Sequence, residues 1–126
     1  MPSTKMTWAG RVVSVLAILP FVPSAGMKLL RHPEVFKGMA HLGLPESLIM
    51  PLAVLELLVV AVYLVPRTAV LGAILLAGYL GGAILAHLRI GEPIYMQSLI
   101  GVLVWLGLWL RDPRLRGLLP LRQPLA

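Results

Sequence analysis

Four long apolar blocks constrain this chain more than any other feature: Trp8 to Leu30, Leu48 to Val65, Thr68 to Leu88 and Ile94 to Leu110. A helix needs about 20 mostly apolar residues, within a range of about 17–25, to cross the hydrocarbon core of a bilayer. Each block falls in that window. Lipid offers no partner to a backbone N–H or C=O, so spans of this length must bond internally as helices. Val59, Val60 and Ile74 are β-branched, but the blocks are about twice the length of a barrel strand and show no alternation of period two. The prediction is one all-α domain over residues 1–126, an integral membrane four-helix bundle with spans near 8–30, 48–65, 68–88 and 94–110.

Composition agrees. Hydrophobic residues make up 59% and charged residues 13%, against about 45–50% and about 25% in soluble domains. Cysteine is absent, which excludes disulfides, thiolate metal ligands and cysteine nucleophiles. The net charge of +6 would suit nucleic acid if the basic residues formed a stripe interleaved with aromatics. They lie instead between and after the apolar blocks, so the expected partner is the lipid bilayer, with no nucleic acid.

The connections refine the topology. Val65-Pro66-Arg67-Thr68 is a tight turn, and Arg89-Ile90-Gly91-Glu92-Pro93 is nearly as short. Each predicts an antiparallel hairpin. The one long link, RHPEVFKGMAHLGLPES at 31–47, predicts a short amphipathic surface helix over Pro33 to Leu42. Val35, Phe36, Met39, Ala40 and Leu42 fall mostly on one side of it, and Gly43-Leu44-Pro45 ends it. Pro45 can then open the next helix. Lys5 and Arg11 ahead of an apolar run resemble a secretory signal, with PSAG at 23–26 as the cleavage candidate. Pro23 is the wrong residue there and the apolar run continues, so the first helix is read as retained. Pro20 and Pro23 are both expected to kink it.

Lys5, Arg11, Arg67, Arg111, Arg114, Arg116 and Arg122 share the face of the termini, seven in all, against Lys28, Arg31, Lys37 and Arg89 on the other. That excess predicts both termini in the cytoplasm. The tail over 111–126 alternates arginine with leucine, as suits an interfacial segment on an anionic leaflet. In the third span, Gly78 with Gly82 and Ala77 with Gly81 make small-x-x-x-small pairs. These are expected to serve packing within the bundle, and a shared glycine face in a homodimer is the alternative. Gly101 with Trp105 in the fourth span reads as packing too.

Glu56 is the anomaly in LAVLELLVVAVYLV (52–65). It lies eight residues beyond Leu48, about 12 Å along the helix. An acid near mid-membrane costs about 2.5–3.5 kcal/mol on insertion scales, so it should face inward, protonated or paired with Lys28 or His87. Ser24 is one turn from Lys28 on the same side. His87 ends the third span, and Gln97 is near the start of the fourth. Polar groups from four spans therefore converge on the outer half. Two readings stay open: a latch between helices, or a ligand or proton site. The candidate ligand-binding set is Lys28, Glu56, His87, Ser24, Tyr79 and Gln97. No metal site is expected, because His32, His41 and His87 are scattered and lack ligand spacing. Nor is there a phosphate-binding glycine loop: GYLGGA (78–83) follows an apolar helix, not a strand.

GMKLLRHPEV (26–35), LPESLIMPLAVLEL (44–57), PRTAVLGAILLAGYLGGAILAHLRIGEP (66–93) and LWLRDPRLR (108–116) together resemble the DoxX-like family of small bacterial membrane proteins. The resemblance covers roughly Trp8 to Leu119. It implies a four-helix membrane bundle in the bacterial cytoplasmic membrane, with Lys28, Glu56 and His87 at the family's recurring lysine, glutamate and histidine positions. The family takes its name from a subunit associated with a thiosulfate:quinone oxidoreductase, and a distant eukaryotic member is an acetylcholine-receptor chaperone. Three functions follow as expectations. The first is an accessory, non-enzymatic protein holding a small amphipathic ligand (lipid, quinone or isoprenoid) in an outward-facing polar pocket. The second is an assembly factor or chaperone for a membrane-protein partner. The third is a quinone-linked oxidoreductase subunit. No bound cofactor is expected. A quinone would need only an apolar cleft and one or two donors, for which Lys28, His87 or Tyr79 would serve.

Overall fold

The computed structural model describes residues 4–124. Seven helices follow one another, with no strand among the described residues: α1 Thr4–Ile18, α2 Phe21–Leu29, α3 Pro33–Leu42, α4 Ile49–Leu64, α5 Ala69–Arg89, α6 Tyr95–Arg111 and the single turn α7 Pro113–Arg116. Short 3₁₀ turns at Glu46–Leu48 and Pro66–Thr68 lead into α4 and α5.

The break between α1 and α2 falls at Leu19-Pro20, where proline withholds a helical N–H and crowds the preceding turn. Pro23 causes no second kink. It sits in the first turn of α2, where its missing N–H would have had no intrahelical partner. The break redirects the chain: α1 packs along α6, whereas α2 packs on α4. That shift brings α2 alongside Glu56.

The predicted surface helix forms as α3. The His32 side chain accepts a hydrogen bond from Glu34 N (3.1 Å), Pro33 opens the first turn, and Gly43 closes the helix at φ +74°. Only Met39 of this helix is buried. The α4–α5 turn is held by Thr68, whose Oγ1 donates to Val62 O at 2.8 Å.

The helices meet most closely through glycines other than the expected ones. A Cβ on Gly10 would lie 2.6 Å from Arg111 N, and one on Gly107 would lie 2.5 Å from Ser14 Oγ, so α1 and α6 run nearly backbone to backbone. A Cβ on Gly72 would lie 2.3 Å from Tyr63 Cα. Gly78, Gly81 and Gly82 would meet nothing within 4 Å. The glycine pair of the third span is therefore not a packing seam within the chain. Gly101 does touch α5, at Leu80 Cδ1 (3.8 Å).

Tyr63 of α4 ties three helices together, α1, α4 and α6. It is fully buried, and its hydroxyl donates to Val104 O at 2.6 Å and lies 3.1 Å from Ser14 Oγ. Its carbonyl accepts from Arg111 Nη2 at 2.8 Å, and the Arg111 guanidinium lies 4.7 Å from the ring centroid. Buried Val59, Ala73, Leu76, Ile100 and Leu108 extend this core.

Among the described residues, three helical stretches are long and apolar enough to cross a membrane: Thr4–Leu29, Glu46–Leu64 and Pro66–Arg89. The fourth apolar helix, Tyr95–Arg111, is shorter at 17 residues. Large apolar side chains remain exposed on every one, among them Val12, Leu58, Ile74, Leu85 and Val102.

Candidate functional site

Glu56 is in the interior of α4, on the side that meets α2 and α5, and is 2% exposed. Leu48, Leu52, Leu55 and Glu56 share one helical stripe, and all four line a cavity of about 590 Å³. Three donors converge on Glu56 Oε1. Lys28 Nζ approaches to 2.6 Å, Ser24 Oγ donates at 3.0 Å, and Tyr79 OH makes a short hydrogen bond. Lys28 also donates to Ser24 Oγ at 2.8 Å. Ser24 and Lys28 are four residues apart, which puts them on the same face of α2. Phe21, one turn earlier, meets the Tyr79 ring edge-on, with centroids 5.9 Å apart.

The two oxygens of Glu56 differ sharply. Oε1 takes all three donors, while Oε2 is buried without a hydrogen-bond partner. An ionised carboxylate can accept about four hydrogen bonds over its two oxygens, so half of the group has nothing to bond to. A buried polar atom left alone costs about 1–3 kcal/mol. Glu56 thus acts as a latch between α2, α4 and α5 through one oxygen and keeps an unused acceptor in the other.

The open glycines explain the cavity itself. Gly78, Tyr79, Gly82, Ala83, Ala86 and His87 fall at helical spacing along one face of α5, and all line the cavity. Side chains are small or absent at four of these six positions, so space stays open beside Tyr79. The glycine pair read from the sequence as a packing motif is a cavity wall.

His87 lines the cavity but does not pair with Glu56. Its Nδ1 is 2.7 Å from Ala83 O, one turn back on its own helix. Gln97 of α6 also lines the cavity. The structure thus brings Ser24, Lys28, Glu56 and Tyr79 into one hydrogen-bonded cluster and places His87 and Gln97 on the surrounding wall. Sequence reasoning set α3 over the mouth of the bundle but missed Phe21 and did not name Met39 and Leu42 of α3, which join the lining. The i, i+3 spacing of Phe21 and Ser24 was the available signal for the first.

α3 is fastened over the cavity from the far side of the chain. His41 Nε2 lies 2.5 Å from Glu92 Oε1, and Arg89 donates to Leu42 O in another short hydrogen bond. Both fasteners are exposed, so each contributes modestly to stability.

An all-helical chain with three helices long and apolar enough to cross a membrane, latched by an internal lysine–glutamate pair, is of the small helical membrane-protein type. The sequence pattern of the DoxX-like family matches residues 12–110, which is most of the chain. The chain belongs to the DoxX-like family. No curated protein and no solved structure matches it.

Proposed function

We propose that the chain is a four-span integral membrane protein whose cavity holds the head of a small amphipathic ligand against Glu56, in an accessory and non-enzymatic role. The carrying observation is Glu56 Oε2, a buried acceptor without a partner on a residue that lines an otherwise largely apolar cavity. Lys28 and Tyr79 already donate to Oε1, so the group in want of a partner is an acceptor. That favours a ligand bearing a hydroxyl or another donor, such as a quinol, an isoprenol or a diacylglycerol, over a quinone carbonyl. The volume of about 590 Å³ is within the ordinary range for small-molecule sites, about 300–1,000 Å³.

Membrane integration is supported by the exposed aliphatic side chains on all four apolar stretches, which water would penalise at about 25 cal/mol per Å². The spans are α1 with α2, α4, α5 and α6, and the basic tail from Arg111 lies at the interface; its last two residues are outside the described ones. The excess of Lys and Arg at the end where α1 begins supports cytoplasmic termini in a bacterial cell, with the cavity opening to the outer side.

A second reading, assembly factor or homodimer, is favoured by a different feature. An open apolar groove of about 730 Å³ runs between α5 and α6, where Ala77, Gly81 and Gly101 leave room beside Trp105 and Trp109. A transmembrane helix of a partner or of a second copy could lie there. In the oxidoreductase reading, the redox centre belongs to a partner subunit.

Thermal melting of the detergent-purified protein distinguishes a ligand pocket from a bare latch. Decyl-ubiquinol, farnesol and dioctanoylglycerol would be compared with decyl-ubiquinone. At a hundredfold excess over Kd, a ligand specific to the folded state contributes about 2.7 kcal/mol, a rise of several degrees in Tm. We expect that rise for at least one donor-bearing ligand, a smaller one for the quinone, and none in Glu56→Gln. Equal shifts in wild type and Glu56→Gln would remove Glu56 from the site.

A further inference from the structure

The net charge of the chain is concentrated at one end. Where α1 begins and α6 finishes there are seven basic side chains and one acid, Asp112, whereas the cavity half balances four basic residues with four acids. At the charged end a cleft of about 390 Å³ opens between Arg11 of α1, Arg111 and Asp112 at the close of α6, and Arg114 of α7, with Ala69 and Leu108 buried in its floor.

Among the described residues, none of the three guanidiniums has a carboxylate partner. Asp112 Oδ1 accepts from Arg114 N at 3.0 Å, capping α7, and no ion pair involves Asp112 among the described residues. Arg111 is held in place by Tyr63, through the carbonyl and the ring face. Arg11 rests over Trp8 at 5.3 Å, and Arg114 is exposed. One cation is fixed by these contacts and the other two are exposed. Guanidinium forks match the oxygen geometry of phosphate and bind it with two parallel hydrogen bonds.

We propose that this cleft binds a phosphate oxyanion, supplied by the headgroup of an anionic phospholipid or by a soluble phosphate. It is separate from the Glu56 cavity, at the opposite end of the helices, and does not rest on the ligand proposed there.

The test uses the full chain in dodecyl maltoside. Native mass spectrometry would count adducts with phosphatidylglycerol and with phosphatidylcholine, and ³¹P line broadening would follow inorganic phosphate. The variant is Arg11→Gln/Arg114→Gln; both side chains are exposed, so Tm should hold. The charge-matched control is Arg67→Gln/Arg122→Gln, outside the cleft. We expect phosphatidylglycerol to be preferred, its adducts to fall by about tenfold in the cleft variant, and the control to behave as wild type. Broadening of inorganic phosphate that vanishes in the cleft variant, without preference between the lipids, would support the same site with a soluble source. If neither probe distinguishes wild type from the cleft variant, or if the control loses as much, the proposal is overturned.

Discussion

Gly72→Ala is expected to destabilise the protein by about 3 kcal/mol, the upper end of overpacking costs. The added methyl would lie 2.3 Å from Tyr63 Cα and 2.4 Å from Tyr63 N. Both are backbone atoms of α4, so no side chain can rotate out of the way. Helices α4 and α5 would have to separate, and Tyr63 would then strain its hydroxyl contact with Val104 O and its carbonyl contact with Arg111. Gly78→Ala is the matched comparison. It meets nothing within 4 Å, and replacing a helical glycine by alanine gains about 0.5–1 kcal/mol. Reversible denaturation in mixed micelles should move the two variants in opposite directions. A Gly72→Ala protein as stable as wild type would mean that α4 and α5 do not approach this closely.

Glu56→Leu is expected to cost about 3–5 kcal/mol, because removing one partner of a buried pair strands the other. Lys28, Ser24 and Tyr79 all donate to the same oxygen, Oε1, and would lose their acceptor together. Lys28 is 13% exposed on its side chain, so its ammonium has little water to turn to. The double variant Lys28→Met/Glu56→Leu should recover most of the loss, since a well-packed apolar pair often matches a buried ion pair in stability. Melting of the single and double variants checks this. A double variant no more stable than Glu56→Leu would show that the lysine is not what Glu56 neutralises.

Much of this was legible in the sequence, for identifiable reasons. The apolar blocks marked where the apolar helices run, because their length leaves the backbone no other way to satisfy its hydrogen bonds, although the first block divides near Pro20 into α1 and α2. His32-Pro33 and Gly43 marked both ends of α3 because each has a specific capping chemistry. That Glu56 faces inward toward a cation followed from depth, because a buried acid needs one; the sequence left Lys28 and His87 both open, and the structure pairs it with Lys28. Ser24 followed from its spacing to Lys28.

What could not be read was which small residues touch another helix. Gly72 and Gly107 carry no spacing signal, yet they make the closest approaches, whereas the Gly78–Gly82 pair carries the signal and lines a cavity. Small residues permit close approach without requiring it, and the rotation of α5 decides between contact and empty space. Pairing of Glu56 with Tyr79 rather than His87 depends on that same rotation, as does the carbonyl that His87 finds on its own helix.

The most direct measurement is native mass spectrometry of the protein released from gentle detergent, wild type beside Lys28→Met/Glu56→Leu. The double variant is designed to keep the fold while removing the unused acceptor, so binding is read apart from stability. A small molecule retained by the wild type and absent from the double variant is the predicted result, and its mass would name the ligand. A wild type that carries nothing, or a double variant that holds the same molecule equally well, would contradict a ligand site at Glu56 and leave the cluster as a latch alone.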